Sequence, residues 1–266
     1  MRLEGKTAIV TGGASGFGEG IVRKFLAEGA EVMIADLNGE KAAALAEELG
    51  CYACAVDVSD WGSVQGMALA ADKTFGVADI LVNNAGVTHL PQAMEDVTEE
   101  DFDRVIAVNC KSIYLMARAL VPGMKERGSG AILNMASTAG VSPRPKLNWY
   151  NASKGWVNTA TRTMAVELAP EGIRVNALNP VAGETPLLKS FMGEDTPEMR
   201  AKFLSTIPIG RFSTPEDMGN AACYLCSDEA GSAATIRCVW SLLSLYRVPL
   251  WIRSTSSLAR AHHRLH

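Results

Sequence analysis

The chain has 266 residues, 48% of them hydrophobic and 20% charged, with a formal net charge of −4 and a pI near 5.7. That length allows one large domain, and the mild acidity removes any electrostatic motive for binding nucleic acid or an anionic membrane. The first residues, MRLEGKTAIV, pass from a short charged start straight into an apolar run without the plan of a signal peptide, so a cytoplasmic protein is expected.

Strand-like and helix-like segments then alternate. KTAIVTG predicts a first strand, followed by a helix to about Gly29; AEVMIAD a second, followed by a helix to about Leu49; CYACAVDV a third, followed by a helix from about Ser59. ADILVNN, a long helix from about Thr98 to Met124, GAILNMAS, a helix holding WYNASK, and IRVNALNP complete the series. Near-continuous apolar strands between amphipathic helices predict an α/β fold: one doubly wound parallel sheet, Rossmann-type, covered on both faces and joined by right-handed crossovers. Residues 183–212 break the rhythm with helical fragments carrying Leu187, Leu188, Phe191, Met192, Met199, Phe203 and Leu204. That stretch is either a lid over a site or an ordinary helical connection packed on the sheet.

Cys51-x-x-Cys54 and Cys223-x-x-Cys226 have the spacing of zinc half-sites. A strand would send Cys51 and Cys54 to opposite faces, and AACYLCSDEA reads as a packed helix, so buried free thiols are expected and no metal site.

Strand one runs into Thr11-Gly-Gly-Ala-Ser-Gly-Phe-Gly18, where Gly12, Gly16 and Gly18 permit a tight turn and Ser15 and Phe17 fill the loop. A helix starts at once, and its free N–H groups and positive dipole end suit a dinucleotide pyrophosphate. Asp36 closes strand two eighteen residues after Gly18, where a carboxylate can accept hydrogen bonds from an adenosine ribose. It would repel a 2′-phosphate, and no Arg or Lys lies between Thr11 and Arg23 or at positions 37–40 to offset that, so NAD is expected over NADP. A methyltransferase would use a similar loop and acid to hold S-adenosylmethionine.

Tyr150 and Lys154 stand four residues apart, on one face of a helix. A cation there is expected to bring the phenol, which ordinarily titrates near pH ~10, toward a working value for acid/base chemistry.

In order and spacing, TGGASGFG, Asn83-Asn-Ala-Gly86, Asn109, Ser137 thirteen residues before Tyr150, Tyr150-x-x-x-Lys154 and Asn179-Pro180 resemble the short-chain dehydrogenase/reductase family, over residues 1 to about 229. A methyltransferase needs none of this set. The resemblance implies a catalytic tetrad of Asn109, Ser137, Tyr150 and Lys154. Tyr150 would exchange a proton with the substrate oxygen, Ser137 would hydrogen-bond that oxygen, Lys154 would hold the nicotinamide ribose, and Asn109 would seat a water. It also implies cofactor contacts from Leu37 beside Asp36, Asp57 and Val58 near the adenine, Asn83, Ala85 and Gly86 beside the adenosine ribose, and Pro180 and Thr185 near the nicotinamide. The family often has Pro-Gly where this chain has Pro180-Val181, so the local backbone path departs from the pattern. His89 reads as a solvated loop histidine rather than a substrate contact, and Trp149 either walls the pocket or packs as an ordinary aromatic.

After Glu229 the composition changes: the remainder holds five Arg, three His and no Asp, Glu or Lys. The first 229 residues carry 20 basic and 29 acidic groups, net −9, and the tail adds +5. The last strand and Asp-Gly-Gly turn usual in the family are not recognisable there. A shifted reading frame or an artificial chain end is the expected origin. A membrane anchor fits poorly, because the apolar part from Cys238 to Ile252 contains Arg247 and Pro249 and is shorter than the ~20 residues a span needs.

The expectation is therefore a dinucleotide-binding and catalytic domain at 1–229, with a helical lid at about 183–212 and a basic tail at 230–266. It acts on a small alcohol or ketone, without nucleic acid or membrane partners, and forms a homo-oligomer, dimer or tetramer, that the altered tail weakens. The activity is NAD(H)-dependent interconversion of a secondary alcohol and its ketone. The alternatives are a 3-oxoacyl thioester reductase, which would want NADPH, and a dinucleotide-binding protein without turnover.

Overall fold

In the computed structural model, residues 1–231 and the strand at 237–239 are described. The strands are β1 (Thr7–Thr11), β2 (Glu31–Asp36), β3 (Tyr52–Ala55), β4 (Ile80–Asn83), β5 (Gly130–Met135), β6 (Ile173–Asn179) and β7 (Arg237–Val239). They form one parallel sheet in the order β3-β2-β1-β4-β5-β6-β7. The helices are α1 (Gly16–Ala27), α2 (Gly39–Leu49), α3 (Trp61–Phe75), α4 (Glu99–Ile106), α5 (Ser112–Arg127), α6 (Asn148–Leu168), α7 (Leu188–Met192), α8 (Pro197–Leu204) and α9 (Pro215–Cys226).

Successive strand residues point to opposite faces, and both faces are covered, which is why the strands read as almost unbroken apolar runs. Val10, Val32, Ile34, Val82 and Leu133 pack beneath α1 and α9 against Ile21, Phe25, Met218 and Cys223. Ile9, Met33, Leu81, Ile132 and Val175 face the other way, onto Val64 and Met67 of α3, Met116 and Met124 of α5 and Leu168 of α6. Each such side chain, fully buried, contributes about 1.5–3 kcal/mol relative to exposure.

Helix starts follow local chemistry. Asn38, Asp60 and Thr98 accept hydrogen bonds from the backbone N–H three residues on, and Thr214 makes a full capping box with Asp217 at the start of α9. The long helix expected from Thr98 is continuous through Arg127 but passes through one π turn, Ala107–Lys111, between α4 and α5. Glu99–Arg127 is long and apolar enough by composition to cross a membrane. Its Val105, Leu115, Met116 and Met124 are buried in the protein.

The cysteines of the two Cys-x-x-Cys pairs behave as small apolar groups. Cys51 and Cys54 pack on opposite faces of the sheet, Cys223 and Cys226 are buried in α9, and burial raises all four thiol pKa values. Among the described residues no cluster of three or more His, Cys, Asp and Glu suited to a metal ion occurs.

The expectation that the last strand is missing needs correction. β7 pairs in parallel with β6, Ala177 opposite Arg237 and Asn179 opposite Val239. The outer edge of β6 offers unpaired backbone groups, and this short run occupies part of it. Otherwise the tail from residue 232 lies outside the described residues.

Candidate active site

The strand order reverses between β1 and β4, and the crevice beyond the carboxyl ends of these strands is where an open α/β sheet binds its ligand. A cavity of about 370 Å³ lies there. Its walls come from the loop after β1, the end of β2, the loop after β4, the end of β5, the start of α6, and residues 180–203.

At one end the β1 loop passes under α1. Gly12 has φ +60°, and a Cβ there would stand 3.0 Å from Ala85 Cα; one on Gly18 would run into the Gly12 carbonyl oxygen. Asn84 fastens the loop by donating to the Thr11 and Gly12 carbonyl oxygens at 2.9 and 3.0 Å. Ser15, at the N-terminus of α1, makes no side-chain cap, so the first turn keeps free N–H groups facing the cavity. Asp36 is held from two sides: Ala14 N–H donates to Oδ2 and Asn38 N–H to Oδ1, each at 3.0 Å. Bare backbone, a free helix end and an oriented carboxylate make a cradle that suits a dinucleotide.

At the other end stand Ser137, Tyr150 and Lys154. Tyr150 is 5% exposed, and burial pushes its pKa up to about 12 against a smaller lowering influence from a Ser137 side-chain hydrogen bond. Lys154 is also buried, which brings its pKa down to about 8; its Nζ donates to the Met135 carbonyl oxygen at 2.7 Å and lies 5.9 Å from the centre of the Tyr150 ring. The expectation that Lys154 would hold the phenol below its ordinary value is therefore corrected. In the protein itself, desolvation dominates the titration of both groups.

A family model described as enoyl-(acyl carrier protein) reductase matches residues 12–235. The 4-formylbenzenesulfonate dehydrogenase of Comamonas testosteroni is 46% identical, over 86% of this chain and 94% of its own length. The chain belongs to the short-chain dehydrogenase/reductase family. The NAD(+)-dependent 2-dehydro-3-deoxy-L-rhamnonate dehydrogenase of Sphingomonas sp. strain SKA58 is 37% identical over 86% of this chain and 90% of its own. Among solved structures, a 3-ketoacyl-(acyl-carrier-protein) reductase from Brucella melitensis complexed with NADH is 48% identical and superposes with a TM-score of 0.83, over 89% of this chain and 96% of that one.

Within this short-chain dehydrogenase/reductase, Gly12, Ser15, Gly16, Phe17, Asp36, Ala85, Gly86, Ser137, Tyr150, Lys154, Pro180 and Thr185 line the cavity together. Six expected residues do not. Gly18 lies buried beneath the loop, and Leu37 is exposed. Asp57 accepts from Ser59 N–H and Oγ at 2.8 and 2.6 Å, while the Val58 side chain packs in the core. Asn83 points inward and donates to Asn134 Oδ1 at 2.8 Å, leaving Asn84 as the asparagine on the cavity wall. Asn109, in the π turn, clamps Val87: its Nδ2 donates to the Val87 carbonyl oxygen and its Oδ1 accepts the Val87 N–H, both at 2.9 Å. Its Nδ2 also donates to Ser153 Oγ at 3.0 Å, so it ties the β4 loop to α6 from behind the cavity.

His89 is not solvated. It is buried, with Nδ1 2.8 Å from the Leu90 carbonyl oxygen, and stands outside the cavity wall. Trp149 packs: its indole N–H donates to the Met94 carbonyl oxygen and its ring meets Phe102 edge-on at 5.3 Å. In 183–212, Leu188, Met192, Ile207 and Phe212 form a small core of their own, while Leu187, Phe191 and Phe203 line the cavity. Sequence reasoning missed Arg144 and Leu147, which line the cavity at the Tyr150 end. They lie in a polar-looking loop, and only the register of α6 brings them to the wall.

Proposed function

We propose that the protein is an NAD(H)-dependent oxidoreductase that interconverts a small secondary alcohol and its ketone. The observation that carries this reading is the single cavity wall on which Asp36 and the glycine loop stand at one end and Ser137, Tyr150 and Lys154 at the other. Gly12 and Gly16 let the backbone approach the pyrophosphate, the first turn of α1 donates to it, and Asp36 accepts from the adenosine ribose. When bound, the nicotinamide group supplies or takes the hydride.

The chain's own residues position the substrate and handle the proton. Ser137 Oγ holds the substrate oxygen. Tyr150 Oη donates its proton to that oxygen in reduction and takes one in oxidation. At neutral pH the phenol is protonated, ready for reduction. Lys154, whose Nζ lies beside Gly86 and donates to the Met135 carbonyl oxygen, holds the nicotinamide ribose and stabilises negative charge developing on the phenol. Asn109 acts indirectly, fixing the Val87 backbone and Ser153.

NAD rather than NADP follows from the fixed Asp36 carboxylate, whose charge would meet a 2′-phosphate with no Lys or Arg on the loop to offset it. The relatives named for NAD(+) and bound to NADH support the same choice. The 3-oxoacyl thioester alternative is supported by the Brucella 3-ketoacyl-(acyl-carrier-protein) reductase structure and by a 3-oxoacyl-[acyl-carrier-protein] reductase of Thermotoga maritima that is 38% identical over 86% of this chain. Calorimetric titration with NADH and with NADPH tests the cofactor assignment. NADH should bind at least about tenfold tighter, and Asp36→Ala should erase most of that difference. Equal affinities in the unaltered protein would defeat the assignment.

A further inference from the structure

Arg144 is a charged residue on the substrate side of the cavity that the proton chemistry does not use. Its guanidinium carbon lies 4.7 Å above the Phe203 ring, which lines the cavity too, and its Nη2 donates to Thr206 Oγ1 at 3.0 Å. Among the described residues no carboxylate pairs with it, and the cavity wall at this end carries none: its charged members are Lys154 and Arg144, with Asp36 at the far, ribose end. Partial burial moves the Arg144 pKa downward, the direction expected of a cation short of water and counter-charge.

The position of Arg144 relative to Tyr150 is built in. The Arg144 carbonyl oxygen accepts from Asn151 Nδ2 at 2.7 Å, so the neighbour of Tyr150 on α6 holds the Arg144 backbone. Between the two lies an apolar wall: Leu147 packs with Tyr150, and Phe191 meets the Tyr150 ring edge-on at 5.0 Å. The cavity wall thus presents the Tyr150 hydroxyl, apolar side chains of Leu147, Phe191 and Phe203, and the planar Arg144 cation.

We propose that the substrate is a ring-bearing ketone or alcohol with an oxyanion, carboxylate or sulfonate, at the end remote from the reacting carbon, and that Arg144 pairs with this anion. The fork of the guanidinium suits two oxygens of one anionic group, and the Phe203 face beneath it holds the fork flat. The proposal rests on the oxidoreductase reading above. A purely structural Arg144, pinning the loop to α8, would affect all ligands alike, and the test is chosen to separate the two.

The NADH complex is titrated calorimetrically with 4-acetylbenzoate and with the uncharged 4-methylacetophenone of the same shape. The anionic ketone should bind about tenfold tighter or more, as a charge-assisted pair implies. Arg144→Gln should bring the two affinities to within about twofold, and Arg144→Lys should keep part of the difference, since it keeps the charge and loses the fork. NADH titration of each variant checks that the domain is folded. If NADH binds and the anionic ketone binds no tighter than the neutral one, undetectable binding of both included, this proposal falls alone. A difference that survives in Arg144→Gln also overturns it. If NADH does not bind, the oxidoreductase reading falls and this proposal with it.

Discussion

Tyr150 and Lys154 share a helix face, yet burial moves their proton affinities in opposite senses: the phenol rises to about 12 and the ammonium falls to about 8. The i, i+4 spacing was visible in the sequence; the desolvation was not, because it comes from Leu147, Phe191 and the β5 end closing over the pair. Tyr150→Phe keeps the ring and its packing but removes the proton. Steady-state ketone reduction should fall by about 10²–10⁴-fold while NADH affinity changes little, and retained turnover would remove Tyr150 from the chemistry. Lys154 makes a stability prediction with a definite sign. Between about pH 8 and its ordinary 10.5, the unfolded chain holds a proton on Lys154 that the folded protein has released, so this group makes stability rise with pH across that window. Tyr150 acts oppositely above its ordinary value of 10, where the folded protein keeps a proton that the unfolded chain has lost. Urea midpoints of the unaltered protein minus those of Lys154→Met should therefore increase from pH 8 to pH 10; a flat difference would contradict the assigned shift.

Among the elements, strands and their order of appearance were legible because each carries an apolar run bounded by turn residues, and the helix starts expected near Ser59 and Thr98 fall close to those of α3 and α4. The π turn at Ala107–Lys111 was not legible. It depends on Asn109 finding both backbone groups of Val87, a contact 22 residues away in sequence. The choice between Asn83 and Asn84 was hidden for a similar reason, since the end of β4 turns one inward to Asn134 and the other onto the β1 loop. Helices α1 and α9 approach so closely that a Cβ on Gly219 would stand 2.6 Å from the Gly20 carbonyl oxygen. Because α1 begins at the glycine loop proposed to hold the pyrophosphate, Gly219→Ala should cost about 1–3 kcal/mol in chemical denaturation and weaken NADH binding as well. Unchanged stability would mean that the contact is looser than the structure shows.

Across the whole molecule, the fold and the main site follow from one arrangement. A parallel sheet with its strand order reversed between β1 and β4 opens a crevice where loops from both halves meet. The doubly wound parallel sheet was foreseeable from the alternation of strand and helix, and the glycine loop marked one end of the site; the order β3-β2-β1-β4-β5-β6 was not read from the sequence. The role of β7 at the edge was not, since its sequence context carries none of the usual turn signals. Arg144 also escaped, because a loop cation gains meaning only when Asn151 of α6 and Phe203 of α8 hold it at the cavity wall. The central claim is hydride transfer, and it has a direct readout. The unaltered protein is incubated with NADH carrying deuterium at both C4 positions and a panel of small ketones, and the alcohol products are weighed by mass spectrometry. The account predicts one deuterium on the carbinol carbon of each product formed, and loss of that product with Tyr150→Phe. Bound NADH with no deuterium transferred to any ketone would contradict it, and would leave a dinucleotide-binding protein without turnover.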